Sequence, residues 1–175
     1  MWTPTAGTMP DDSPDAAADD INEEAATVDG DVEVRGHYEP DSWAAAENRY
    51  RDLGPTAQSV VRETARAMDF ERSEYEERVT ADVIETARQT LFAETLAVRV
   101  ADSGVFEAWR EEYPGDVRIA GSDTVDRVAW HVLPAAEAAV AATFQNEPDA
   151  AVGTVRRMAF NRRYRDRLVG TEDGE

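Results

Sequence analysis

The sequence predicts an α+β domain, a small and mainly antiparallel three-stranded sheet packed against several helices, behind a disordered acidic N-terminal arm. Three observations carry this expectation. Apolar residues recur at helical spacing between Trp43 and Phe92, the period shortens to two from Leu96 onward, and residues 1 to 41 set twelve acidic side chains against Arg35 alone.

The arm is assigned to residues 1 to 40. Pro4, Pro10 and Pro14 break any early helix, and Gly30 and Gly36 interrupt the Val28, Val32, Val34 run, whose alternative is a short edge strand. The domain takes residues 41 to 169, and residues 170 to 175 form an acidic tail. Asp41 or Ser42 caps a first helix with Trp43, Ala46, Tyr50 and Leu53 on one face, ending at Gly54. Pro55 opens a second, carrying Ala57, Val60, Val61, Thr64, Ala65 and Met68, so the two form a helical hairpin. Residues 71 to 78 make a short helical turn, and Thr80 caps a helix that buries Val83, Ile84, Ala87, Leu91 and Phe92.

Alternation of Leu96, Val98 and Val100 with Ala97, Arg99 and Ala101 then marks a half-buried strand. Ser103 caps a short helix with Phe106 and Trp109, stopped by Pro114 and Gly115. Strands follow at residues 117 to 120 and 125 to 133, joined through a turn at Gly121 as an antiparallel hairpin. Pro134 introduces a helix with Ala136, Ala139, Val140, Thr143 and Phe144 on one face, and the last helix runs from about Asp149 to Leu168.

At 175 residues the chain holds one ordinary domain. Its 37 acidic residues meet 18 basic ones, all Arg and none Lys, for a net charge of −19. GC-rich coding enriches Ala, Arg, Val, Asp and Glu without setting such an imbalance. Molar salt does account for it, because the Debye length falls to about 3 Å at 1 M and carboxylate repulsion then costs little. The expectation is a halophilic, cytoplasmic protein. Leu, Ile, Val and Phe number only 31 of 175 residues, a level that accompanies disorder, but the periodicity from Trp43 onward argues for a packed core.

Cysteine is absent, which excludes disulfides, thiolate metal sites and thiol catalysis. The start shows no leader pattern and no window approaches a membrane span. With only His37 and His131, and no nucleophile elbow, phosphate-binding glycine loop or calcium loop, neither metal nor cofactor is expected. Paired acids such as Glu74 with Glu77 are indistinguishable from solvated surface.

Two constellations stand against the prevailing charge. Residues 155 to 168 hold six arginines against Asp166 alone, and on a regular helix Arg156, Arg163 and Arg167 share a stripe with Phe160 beside them. Such a surface grips phosphate or carboxylate, or pairs with carboxylates of its own chain. The second set, Arg99, Arg118, Arg127 and His131, converges on the sheet face opposite Trp130 if the strand registers agree. The leading expectation is a non-enzymatic protein that binds a macromolecular partner or itself through the Arg-rich helix. The alternative is an enzyme or sensor holding a small anionic ligand at the sheet face. Nucleic acid is a weaker third, since affinity resting on about six arginines collapses in molar salt.

Several stretches are also familiar as a set: Ala67, Met68, Asp69, Phe70; Phe106, Glu107, Ala108, Trp109, Arg110; Trp130, His131, Val132; Phe144, Gln145, Asn146, Glu147; and Ala150, Ala151, Val152, Gly153, Thr154. On these the chain resembles an uncharacterised haloarchaeal family carried as a domain of unknown function, over about residues 41 to 168. The resemblance implies the halophilic setting and assigns no activity or functional residue.

Overall fold

Helix α1 (Trp43–Ala67) starts where Ser42 accepts a hydrogen bond from the Ala45 amide at 3.1 Å. The computed structural model describes residues 31–170, so residues 1–30 of the expected arm and residues 171–175 of the tail lie outside the described residues. Gly54 and Pro55 do not divide α1 into a hairpin, contrary to the sequence expectation. Pro55 removes one backbone donor, yet Ala46, Tyr50, Leu53, Ala57 and Ala65 stay in phase along one buried stripe, and packing of that stripe outweighs the proline. After α2 (Arg72–Arg78), helix α3 (Ala81–Thr95) runs back along α1 from its Thr80 cap.

The strands are β1 (Glu33–Arg35), β2 (Val98–Asp102), β3 (Asp116–Ala120), β4 (Arg127–Leu133) and β5 (Ala138–Phe144), in the spatial order β1-β2-β4-β5-β3. The sheet is therefore five-stranded and mixed, not three-stranded: β3 pairs with β5 in parallel while the other pairings are antiparallel. The edge strand β1 lies within the stretch assigned to the arm. There Gly36 has φ 84°, and a side chain would drive its Cβ to 2.4 Å from the Leu96 carbonyl oxygen.

The larger correction is β5. Residues read as a helix after Pro134 form a 3₁₀ turn at Pro134–Ala136 and then a central strand. Five alanines and valines in succession, Ala138 to Ala142, are buried on both faces, so no alternation shows in the sequence and helix propensity misleads. Small side chains are needed here: Ala141 lies opposite Trp130, Ala139 opposite Val132 and Ala142 opposite Ala129. Since β4 turns back into β5, the expected pairing of β3 with β4 does not form, and β3 becomes the second edge.

Both faces are covered. On one, Val98, Val100, Ala129, Leu133 and Val140 pack against Tyr50, Leu53 and Phe92 and against α5 (Pro148–Ala159) with the π-helical turn Phe160–Tyr164 that extends it. On the other, Trp130 meets Phe106 of α4 (Ser103–Glu112) at 5.1 Å and Trp109 at 5.5 Å between ring centroids. A final turn, α6 (Arg165–Leu168), closes the described chain.

Candidate functional site

The C-terminal arginines do not form one surface. Arg156 donates from Nε to the Leu96 carbonyl at 3.1 Å and meets Glu94 of α3 at 3.3 Å. Arg163 reaches Asp116 of β3 at 2.8 Å, and Arg167 reaches Glu47 of α1 at 3.1 Å with its guanidinium 5.5 Å above Trp43. Phe160 is buried in the core. The π-turn beginning at Phe160 is wider than an α-turn, so the phase that puts Arg163 and Arg167 beneath Arg156 is lost. Each of the three arginines instead links the last helix to a different element, as pairing with the chain's own carboxylates implies.

The sheet set is likewise dispersed. Arg99 lies opposite Trp130 in the β2–β4 register, which places it on the face opposite His131, where it forms two hydrogen bonds to Glu39 at 2.7 and 3.2 Å. Arg127 sits over the Phe144 ring at 5.1 Å with Asp102 at 3.8 Å, and Arg118 is exposed on the edge strand β3.

His131 is 1 % exposed. Its Nδ1 stands 2.7 Å from the Ala97 carbonyl oxygen and its Nε2 2.8 Å from the Tyr164 hydroxyl. The carbonyl can only accept, so Nδ1 carries the proton and Nε2 accepts from Tyr164. Burial pushes the imidazole down to about 4, outweighing the backbone hydrogen bond, and burial raises the Tyr164 phenol. This is a neutral, satisfied pair that ties β4 to the last helix, not a group titrating near neutrality for a ligand. Among the described residues no group of His, Asp and Glu is placed to hold a metal ion, and no helix is long and apolar enough to cross a membrane.

What the structure does gather is apolar. In the described residues the large hydrophobic side chains left exposed are Val60, Met68, Val83 and Ile119, and the first three line one groove of about 510 Å³ between α1, α2 and α3. Val61, Phe70 and Leu91 deepen it, and the one charged lining residue is Arg78, whose guanidinium stacks 5.3 Å from the Phe70 ring. Val60 and Met68 belong to the apolar face the sequence marks on this helix, but as its flank rather than its centre. The signal was the width of that stripe, which exceeds what α3 alone covers.

Residues 37–165 match the model of a family described as a family of unknown function (DUF5809). The chain belongs to that family. The matched span begins just after β1 and contains every residue of the groove. No curated protein and no solved structure matches the chain.

Proposed function

We propose that the protein is a non-enzymatic association protein, and that the surface it uses is the α1–α3 groove, occupied by the same hairpin of a second copy. The supporting observation is the clustering of Val60, Met68 and Val83 in one open apolar trough. Two helices with an open apolar seam are half of a four-helix bundle, and a two-fold axis closes the seam with no further element. The stretch that carries it, residues 60–91, holds five arginines among eight acidic residues, and the one charged side chain in the lining is Arg78, so the face is mixed rather than uniformly acidic. The Arg-rich last helix is the poorer candidate for the same role, because Arg156, Arg163 and Arg167 already engage carboxylates of their own chain.

Sedimentation velocity over a concentration series at high salt tests this. The expected result is a dimer that Val60→Glu with Met68→Glu converts to a monomer of unchanged circular dichroism. A wild-type monomer at every concentration overturns self-association, and cross-linking of a different protein through the groove would reassign the occupant.

We also propose a high-salt working environment, supported by 37 acidic residues against 18 arginines. Melting at about 0.1 M salt, where the Debye length is about 10 Å, should fall below melting at about 1 M. Equal melting temperatures contradict it.

A further inference from the structure

Adjoining the α1–α3 groove across Thr86 and Thr90 of α3, a second depression, about 360 Å³, opens between α3 and α5, lined by Gln89, Glu94, Gly153, Arg156, Arg157 and Asn161 among others. We propose that this cleft binds a small organic molecule through an oxyanion, a carboxylate or a phosphate, received by Arg157.

The charge at the cleft is the first reason. Glu94 is engaged by Arg156, whose side chain is 13 % exposed and further fixed by the Leu96 carbonyl, so those two charges offset each other. Arg157, the next residue, is exposed and forms no ion pair among the described residues. The hydroxyls of Thr86 and Thr90, also on the wall, already donate to the carbonyls of Asp82 and Thr86. The donors left to meet an anion are therefore the Arg157 guanidinium and the side-chain amides of Asn161 and Gln89.

Gly153 is the second reason, and it is independent of charge. It stands in the interior of α5, where glycine lowers helix stability relative to alanine. Neither packing nor backbone conformation asks for it: a Cβ added there would meet nothing within 4 Å, and its φ is not positive. What the missing side chain does is keep one wall of the cleft low. Stability is forgone at a position whose evident effect is access, the pattern expected of a binding site.

The test is titration of the ¹⁵N-labelled full chain with sodium phosphate and, separately, sodium malonate, against sodium chloride of equal ionic strength. Saturable shifts centred on Gly153, Arg157 and Asn161 are expected with at least one of the two, and which one responds identifies the oxyanion. Arg157→Gln should weaken binding about tenfold. Gly153→Leu should weaken it comparably while melting no lower than wild type, a combination that misfolding cannot produce. Arg165→Gln, an exposed arginine outside the cleft, should leave binding unchanged. Absence of saturable shifts with both anions, or equal weakening by Arg157→Gln and Arg165→Gln, overturns the proposal.

Discussion

Helices α1 and α3 meet at both ends, and the ends are finished differently. Near the sheet, Tyr50 of α1 and Phe92 of α3 stand 5.8 Å apart and are sealed by the last helix, with Phe160 6.0 Å and Tyr164 5.1 Å from Phe92. At the far end the α2 segment flanks the seam through Phe70, Arg78 and Val79 without closing it, and Val60, Met68 and Val83 are 43 %, 58 % and 42 % exposed. The same antiparallel pair thus serves as core at one end and as surface at the other. The difference lies in what the chain supplies to close it: the aromatic side chains Phe160 and Tyr164 of the π-turn in one case, only the flank of the α2 segment in the other.

The sharpest break of this contrast is Phe92→Ala, which leaves a cavity where three elements converge and should lower stability by about 3–5 kcal/mol in urea denaturation. Tyr164→Phe should cost about 1–3 kcal/mol, because it leaves the buried His131 Nε2 without its donor. His131 also gives the sealed end a pH dependence. Its folded value, about 4, lies below the unfolded value near 6.5, so below 6.5 the unfolded chain takes up a proton that the folded one refuses. Stability should be level above that point and fall by up to about 1.4 kcal/mol per pH unit between 6.5 and 4. The stability difference between wild type and His131→Gln should shrink across that window, and a constant difference would contradict the assignment. At the open end, by contrast, Met68→Glu should change stability by no more than about 0.5 kcal/mol when measured at a concentration too low for two copies to pair. Arg163→Gln, which removes a surface link to Asp116, belongs to the same small class at about 0–1 kcal/mol.

The sealed end was the more legible in the sequence. Tyr50, Leu53 and Phe92 announce themselves by spacing, and the caps at Ser42 and Thr80 by residue type. Strand β5 was hidden because a central strand of alanine and valine has no exposed face to alternate with, and alanine prefers helix when nothing else decides. Once β5 is a strand it displaces β3 to the edge, so the hairpin error follows from the same cause. Arg99 left the cationic sheet set for a related reason: its face is set by pairing with Trp130 across strands, which no single-strand pattern contains. The groove was half visible, since its residues read as an apolar face but the absence of a covering element is a tertiary fact.

The chain contains no cysteine, so a single Met68→Cys substitution carries a spin label with no competing thiol. Double electron–electron resonance on that variant at high salt measures the central claim directly. Closure of the groove by a second copy predicts a defined intermolecular distance between the two labels, abolished when Val60→Glu is added. A sample with no intermolecular dipolar signal at any concentration would contradict it.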